Sequence, residues 1–446
     1  MIVYLIICRK ILEKTYLMVY IIGTVIKGRK KFMEQPTDEI KWKLNKYGQE
    51  HLLNGYDNLT DVKKKELLMQ LEEIDFELIN NLYRNAKKEV NLSSDKIEPI
   101  EYLDKYKLND KFKEYEAVGK KAISEGKLAA VTMAGGQGTR LGHNGPKGTF
   151  DIGLDSHKSL FELLSDTLKE EGDKYSVIIP WFIMTSKENN KATIEFFEQN
   201  KFFGYEKDKT IFFFEQGELP MVDTEGKILI GEDGLVKQAA DGHGGIFQAL
   251  VKNKITDKMK ELGVEWVFIG GVDNCLAKMV DPVLMGIAID NNVSAAGKSI
   301  VKANPEEKVG VFCKKNGRPY VIEYSEISEE MAKATDSNGE LLYGESHILC
   351  NLFKTSSIER MGEMPLPYHS AFKKATYIDK DGNKVVPTGP NAYKFEAFLF
   401  DAFGELDDMA ILRVKREEEF APVKNATGVD SPETARELYK KFHNIV

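Results

Sequence analysis

The spacing of apolar residues changes near residue 127. Residues 37–126 are highly charged, and leucine and isoleucine recur there at steps of three and four residues, which is the spacing of one helix face. The residues of this stripe are Leu67, Leu68, Leu71, Ile74, Leu78 and Leu82. The pattern predicts an N-terminal helical region over residues 33–126.

From residue 127 onward, short apolar runs typical of buried strands alternate with amphipathic segments typical of helices. These segments are residues 128–133, 159–170, 176–184, 192–199, 210–214, 246–262 (a helix) and 264–269 (a strand). The alternation indicates an α/β domain with a mixed, largely parallel sheet, which we place at 127–405. Residues 406–446 are expected to close the site, with a final helix over 431–444.

The first 32 residues are rich in isoleucine, valine, leucine and tyrosine, and two interpretations are open. One is a signal or membrane anchor, but Arg9, Lys10, Glu13 and Lys14 interrupt the apolar run. The longest uncharged stretch, 15–26, is about half of the ~20 residues that a spanning helix needs. We favour an over-extended start that precedes the true first residue, Met33, and expect no membrane association.

Composition narrows the function classes. Lys plus Arg number 62 and Asp plus Glu 70, which gives a net charge of −8. An acidic chain is a poor partner for nucleic acid, because that affinity depends on neutralising backbone phosphates. The four cysteines Cys8, Cys275, Cys313 and Cys350 form no CxxC pair, which argues against a disulfide framework or a zinc site and favours the cytoplasm.

The strongest local motif is a glycine-rich loop after the predicted strand 128–133. It reads AGGQGTRLG (134–142) and is followed by PKG (146–148). Glycines let backbone N–H groups approach phosphate oxygens, and Arg140 and Lys147 add fixed positive charge. The motif is neither GxGxxG nor a P-loop. A plain turn with two solvated cations is the alternative, but the preceding strand and the paired cations favour phosphate binding.

Two further motifs are weaker. Asp273 and Asn274 follow a predicted strand, where an aspartate suits Mg²⁺ on a phosphate or, equally, a helix N-cap. His243 lies among glycines (ADGHGG, 240–245). A lone histidine is more often structural than catalytic, but its place just before a predicted helix, where backbone N–H groups are free, raises the weight of a ligand-binding role. By spacing alone, Lys394 and Lys424 are surface lysines.

Nine blocks occur in the order found in a known family. They are AGGQGTRLG (134–142), PKG (146–148), MTS (184–186), FFG (202–204), EQG (215–217), DGHGG (241–245), VDN (272–274), EYSE (323–326) and PVKN (422–425). From about residue 127 onward the chain thereby resembles the eukaryotic-type UDP-sugar pyrophosphorylases, most closely their UDP-N-acetylglucosamine branch. The resemblance implies a Rossmann-like, GT-A-like nucleotidyltransferase that converts UTP and a sugar-1-phosphate into a UDP-sugar and pyrophosphate, with Mg²⁺ or Mn²⁺.

The resemblance also implies residue roles. The residues that it implies for UTP are Met133, Ala134, Gly135, Gly136, Lys147, Gln216, Gly242, Asp273 and Lys394. Among these, Gln216 and Gly242 would hold the uracil, and Asp273 the nucleotide or its metal. The residues implied for the sugar-1-phosphate are His243, Glu323, Asn351 and Lys424. The cations implied for catalysis are Arg140, Lys147, Lys394 and Lys424, acting by positioning and by charge stabilisation without a covalent intermediate.

Two departures from the family pattern bear on these expectations. His243 stands where the N-acetylglucosamine enzymes usually carry Asn, whereas the UDP-glucose enzymes carry His in a similar block. N-acetylglucosamine-1-phosphate is therefore the expected sugar, with glucose-1-phosphate or a broad range as the alternative.

The chain also ends about twenty residues after Lys424, so we expect a closing helix in place of the family's small C-terminal β domain. The rival of another class is an inactive nucleotide-sugar-binding protein, against which the full set of cations argues.

Overall fold

The computed structural model describes residues 35–86, 95–365 and 367–445, so the expected over-extended start, 1–32, lies outside the described residues. The described residues form two compact units that interleave along the chain. The first contains residues up to 86, with Glu218–Ala239 and His369–Phe395. The second contains residues from 95 to Gly217, Ala240–Tyr368, and those from Glu396 onward. Both linear boundaries suggested by the sequence, after 126 and after 405, fall inside the second unit.

The strands and helices are numbered here in chain order. The strands are β1 Ile97–Pro99, β2 Leu103–Asp104, β3 Leu128–Met133, β4 Trp181–Thr185, β5 Ile211–Glu215, β6 Glu218–Pro220, β7 Val222–Asp223, β8 Gln238–Ala240, β9 Trp266–Gly271, β10 Ala295–Val301, β11 Val311–Lys315, β12 Arg318–Ile322, β13 Glu345–Lys354, β14 His369–Lys373, β15 Tyr377–Ile378, β16 Lys384–Val385, β17 Ala392–Glu396 and β18 Ala410–Arg413. The helices are α1 Asp38–Tyr47, α2 Asp61–Glu73, α3 Phe76–Asn85, α4 Asp110–Ser124, α5 Leu160–Tyr175, α6 Asn190–Gln199, α7 Ile246–Lys252, α8 Ile255–Glu261, α9 Pro282–Asp290, α10 Glu329–Lys333, α11 Thr355–Gly362, α12 Arg416–Glu419 and α13 Pro432–Phe442.

The second unit is built on one large sheet. Within the described residues this sheet has 11 strands, and its main path runs β2-β18-β10-β13-β9-β3-β4-β5. Along that path β13 is antiparallel to both neighbours, β9 and β10, and the other neighbouring pairs are parallel. The expected mixed, largely parallel α/β sheet is therefore confirmed.

Alternate residues of the central strands pack into two hydrophobic clusters. On β4, Trp181 and Ile183 belong to one cluster, while Phe182 and Met184 belong to the other. Helices α4, α5 and α9 contribute buried residues to the first cluster, and α7, α8 and α11 to the second. Because side chains alternate across a strand, the two clusters lie on opposite faces, and the unit is a three-layer α/β structure.

The first unit holds helices α1 to α3 and the small sheet β14-β17-β7. The apolar stripe expected from the sequence is divided here between two helices. Helix α2 ends at Glu73, and the Asp75 side chain accepts a hydrogen bond from Leu78 N (2.9 Å), which caps a new helix, α3. Leu67, Leu68 and Leu71 are buried as the stripe predicts.

Two further boundaries differ from expectation in the second unit. The helix expected over 246–262 is two helices, α7 and α8, because Lys254 between them has left-handed backbone (φ 58°). The strand expected at 264–269 begins at Trp266 and ends at Gly271. The final helix is confirmed as Pro432–Phe442, capped by Ser431. Among helices in the described part of the chain, none is long and apolar enough to cross a membrane.

Candidate active site

Parallel neighbours β5, β4, β3 and β9 end at the same edge of the sheet. The register pairs Met133 with Met184 on one side and with Gly271 on the other. Val272 N donates to Met133 O (3.1 Å), so the chain leaving β9 runs beside the loop that leaves β3. The glycine-rich loop, Gln216 and Asp273 all follow these strand ends, which is where an α/β sheet binds its ligands.

A buried asparagine holds the glycine-rich loop in place. The Asn189 side-chain amide donates to Ala134 O (2.9 Å) and to Gly136 O (3.3 Å). Lys147 N donates to the same carbonyl, Gly136 O (3.0 Å), so the lysine is brought back against the loop. The sequence analysis missed Asn189, although its place shortly after β4 was a usable signal.

Gln216, the residue implied for uracil, lies directly against the loop. Its backbone N–H donates to Thr185 O (2.8 Å), and a Cβ at Gly135 would come within 2.5 Å of its Oε1. Position 135 must therefore be glycine for the Gln216 amide to stay where it is.

Lys147 and Asp273 form an ion pair at this edge. Lys147 Nζ is 3.1 Å from Asp273 Oδ2, and the two side chains are 17% and 25% exposed. Burial alone would raise the pKa of Asp273, but the positive charges of Lys147 and Lys424 act against it, and the net direction is downward. The site therefore offers an ionised carboxylate and a cation side by side, both open to a ligand.

Lys424 reaches this edge from the C-terminal part of the chain. Val423 N donates to Asp273 O (2.9 Å), and Lys424 itself is exposed, with its Nζ 3.4 Å from Asp430 Oδ2. Arg140 is exposed on the short turn Thr139–Leu141. Lys394 lies half-buried on β17, and residue 394 belongs to the first unit.

The second glycine block is shaped by the strand end that faces it. Gly242 has φ 87°, and a Cβ there would come within 2.3 Å of Ala397 O. Ala397 N donates to Asp241 O (2.8 Å), and Gly244 N donates to Ala397 O (2.8 Å). The backbone of this block is thus fixed against residue 397, which explains its glycines.

His243 is held in one orientation. Its Nδ1 accepts a hydrogen bond from Leu399 N (3.1 Å), and its ring packs on Phe398 and Phe400. Burial lowers the pKa of His243, although the carboxylate of Asp401 opposes this, so the ring is neutral at pH 7. With Nδ1 as acceptor, a neutral ring carries its proton on Nε2 and can only donate from there.

The residues implied for the sugar lie around a second histidine that the sequence analysis missed. His347 Nε2 is 3.3 Å from Oδ1 of Asn351, which is fully buried, and its ring contacts Phe400 beside His243. His347 N donates to Gly310 O (2.9 Å), and a Cβ at Gly310 would come within 2.9 Å of Glu323 Oε1.

His347 thus bonds Asn351 directly, shares the Phe400 ring with His243, and bonds Gly310, which lies against the Glu323 side chain. Burial lowers its pKa to about 3, which keeps the ring neutral.

Three comparisons place the chain among known proteins. The sequence model of the family described as UTP–glucose-1-phosphate uridylyltransferase matches residues 74–430. The UDP-N-acetylglucosamine pyrophosphorylase of Saccharomyces cerevisiae is 37% identical over 419 residues, covering 89% of this chain and 88% of that protein. The human UDP-N-acetylhexosamine pyrophosphorylase-like protein 1 is also 37% identical, over 91% of this chain and 84% of that protein.

A solved structure gives the same picture. The uridine diphosphate N-acetylglucosamine pyrophosphorylase of Trypanosoma brucei, in complex with an inhibitor, is 31% identical to this chain. The match covers 91% of this chain and 85% of that one, with a TM-score of 0.77.

Proposed function

The chain belongs to the UTP–glucose-1-phosphate uridylyltransferase family, and from that premise we propose that it joins UTP to N-acetylglucosamine-1-phosphate and releases pyrophosphate. Family membership makes it a nucleotidyltransferase that forms UDP-sugars. The observation that carries the proposal is the Lys147–Asp273 pair beside the glycine-rich loop, at the edge that Lys424 also reaches.

The proposed chemistry is in-line attack of a sugar-phosphate oxygen on the α-phosphorus of UTP. Both reactants are anions, so the protein must supply positive charge where the phosphates meet. We assign Lys147 and Arg140 to the triphosphate, and we assign Lys424 to the sugar phosphate. Gln216 and Gly242 are assigned to the uracil, because their amide and backbone groups suit the edge of a base.

Asp273 is the residue that would hold Mg²⁺. Within the described residues, no three His, Cys, Asp or Glu side chains converge as a ready-made metal site. Mg²⁺ commonly binds one or two carboxylates and takes its other ligands from substrate phosphates and water. An ionised, partly exposed Asp273 beside the phosphate loop fits that pattern. When bound, the ion would neutralise triphosphate charge and so allow an anionic nucleophile to approach.

The sugar preference is the finer part of the proposal. The yeast and trypanosome relatives are named for N-acetylglucosamine, which supports that sugar here. Glucose-1-phosphate is the second candidate, because the UDP-glucose enzymes carry a histidine in the block that resembles the one around His243. The orientation of His243 leaves it an Nε2–H donor, which can serve a hydroxyl or an acetamide oxygen.

A panel of sugar-1-phosphates with UTP and Mg²⁺, read by pyrophosphate release, tests the proposal. We expect N-acetylglucosamine-1-phosphate to give the highest kcat/KM and glucose-1-phosphate a lower but measurable one. A higher kcat/KM for glucose-1-phosphate would replace the proposed sugar by the alternative. Release from none of the sugars would favour the inactive nucleotide-sugar-binding protein.

A further inference from the structure

A cluster of charged side chains is buried in the second unit. Among the described residues it contains two lysines and two carboxylates. Lys298 is fully buried on β10, and its Nζ bonds Asp281 Oδ2 (3.0 Å), Glu419 Oε2 and Lys278 O (3.1 Å). Lys105 Nζ bonds the same two carboxylates, at 2.9 and 3.0 Å.

The charges of this cluster are fixed by one another. Burial alone would lower the pKa of Lys298, but Asp281 and Glu419 raise it, and the net direction is upward. Burial alone would raise the pKa of Asp281, but Lys298 and Lys105 hold it well below its usual range. Lys298 and Asp281 thus stay ionised. Buried ion pairs stabilise a fold little more than apolar side chains of similar size would. Stability alone therefore does not account for this cluster, and a role in orienting the neighbouring backbone is the alternative.

The cluster is linked to the active site through the backbone of Glu419. The Glu419 carbonyl accepts a hydrogen bond from the Asn274 amide (2.8 Å), and Asn274 Oδ1 accepts one from Ala421 N (2.9 Å). Asn274 therefore joins the segment that carries Asp273 to the segment 419–423, which leads to Lys424. A third hydrogen bond, from Val423 N to Asp273 O (2.9 Å), joins the same two segments at the site. These three hydrogen bonds are called the ladder below.

The two ends of this ladder differ in their other supports. Asp273 is also held by Lys147 and by the hydrogen bond from Val272 N to Met133 O. Lys424 follows the 419–423 segment directly, and its side chain is exposed. Its other bonds, from Lys424 N to Asp430 O (2.7 Å) and from Lys424 Nζ to Asp430 Oδ2 (3.4 Å), lie within the same 424–430 loop and would move with it. A loosened ladder should therefore displace Lys424 before it displaces Asp273.

We propose that Lys298 and Glu419 are positioning residues that, through Asn274, fix Lys424 for the sugar phosphate. The inference rests on the proposed function, since it deepens the role given there to Lys424. It extends the site to buried side chains that touch neither substrate.

The test compares two carboxylates of matched burial. Glu419 is 2% exposed and bonds Lys298, while Glu345 is 3% exposed and bonds Arg413 and Ser299 Oγ without contacting the 419–423 segment. Glu419→Gln and Glu345→Gln each remove one buried negative charge beside a buried cation. Both variants should lower the melting temperature.

Steady-state kinetics and hydrogen exchange then separate orientation from stability. We expect Glu419→Gln to raise KM for the sugar-1-phosphate about tenfold and KM for UTP less than threefold, because small displacements of a binding group are costly. Amides of residues 419–425 should exchange faster in Glu419→Gln than in wild type. Glu345→Gln should change neither quantity.

A second variant covers the case in which Glu419→Gln does not fold. Asn274→Ala leaves the four charged side chains in place and removes the link, together with the hydrogen bond from Leu276 N to Asn274 Oδ1 (3.2 Å), so it should raise the same KM and the same exchange rates. Equal KM effects in Glu419→Gln and Glu345→Gln, or unchanged kinetics and exchange in Asn274→Ala, would overturn the inference. An inactive wild type would instead overturn the proposed function, and the exchange measurement would still decide whether the ladder depends on the cluster.

Discussion

At the scale of single residues, the site depends on how neighbours set the charge of each side chain. Asp273 is ionised because Lys147 and Lys424 outweigh the effect of burial, whereas His243 and His347 stay neutral because burial dominates. The phosphate side of the proposed site is thus ionic, and the sugar side is neutral and aromatic. Each side suits the part of the substrates assigned to it.

Replacing Lys147 tests the ionic side. Lys147→Ala should lower kcat by about 100-fold or more, because a preorganised charge on the reacting phosphates is lost. Its effect on unfolding should stay within about 1 kcal/mol, since the Lys147–Asp273 pair is partly exposed. Lys158→Ala, which removes a more exposed lysine paired with Asp166, is the matched control. Near-normal turnover in Lys147→Ala would rule out its assigned role.

Replacing His243 tests the neutral side. We expect the wild type to accept both sugar-1-phosphates, with N-acetylglucosamine-1-phosphate moderately ahead, and His243→Asn to widen that preference. An asparagine is smaller and can both donate and accept, whereas His243 can only donate from Nε2. The measurement is kcat/KM for both sugars in both proteins. An unchanged ratio would show that His243 does not set the choice.

His347 should make stability depend on pH. Its ordinary pKa of 6.5 falls to about 3 in the folded protein, so between these values the unfolded chain binds a proton that the folded chain does not. The free energy of unfolding must then fall as pH falls below 6.5, by up to about 1.4 kcal/mol per pH unit. Urea unfolding from pH 6.5 to 4.5 should show a shallower loss in His347→Gln than in wild type. Parallel losses would contradict the neutral, buried state of His347.

The sequence identified residues that stand in a recognisable motif, but not the contacts that residues make with distant parts of the chain. Gly135 and Lys147 belong to one compact motif, which could be read directly. Asn189 acts on a loop 53 and 55 residues away, and Asn274 bonds a carbonyl 145 residues away. The place of Asn189 after β4 was a usable signal for the residue, but no local pattern marks its partner, because only the sheet topology brings the two together.

At the scale of elements, periodicity predicted which segments are helices and strands, and it failed where one helix follows another. Residue 74 continues the apolar spacing of α2 into α3, so the cap at Asp75 was hidden within a regular stripe. Lys254, with left-handed backbone between α7 and α8, carries no sequence signal for such a break. Strand β3 was predicted with its observed bounds, 128–133, because both faces of the central sheet are buried and this strand is one continuous apolar run.

The contact between the loop after β3 and the residue after β5 gives a prediction at this scale. Gly135→Ala would place a Cβ 2.5 Å from Gln216 Oε1, so the Gln216 side chain must move. We expect KM for UTP to rise about tenfold, because this amide is assigned to the uracil and a displaced hydrogen-bonding group loses its contact. Gly404→Ala, where a Cβ meets nothing within 4 Å, is the control.

A double-mutant cycle shows whether that effect passes through Gln216. With Gln216→Ala in place, the Cβ at position 135 has room, so the double variant should resemble Gln216→Ala alone. Additive losses would mean that Gly135 acts on UTP in some other way.

At the scale of the whole molecule, the charge balance opposes the proposed substrates. The chain carries a net charge of −8, yet UTP and a sugar-1-phosphate are both anions. If these are the substrates, binding comes from the few cations at the edge of the sheet and from the proposed metal ion, and not from the general field of the protein. This makes the predicted affinity for UTP strongly dependent on Mg²⁺.

Thermal unfolding of the intact protein tests that dependence. A ligand that binds only the folded state stabilises it by about 2.7 kcal/mol at 100 times its Kd, so UTP with Mg²⁺ should raise the melting temperature by several degrees. UTP with EDTA should raise it far less, because triphosphate charge is then unscreened beside Asp273. Asp273→Asn should reduce the difference between the two conditions, since it removes both the proposed metal ligand and the repulsion.

Pyrophosphate release should likewise require Mg²⁺ or Mn²⁺. Equal stabilisation by UTP in Mg²⁺ and in EDTA, together with full activity in EDTA, would remove the metal from the proposal and leave Lys147, Arg140 and Lys424 as the sole counter-charges proposed for the second unit.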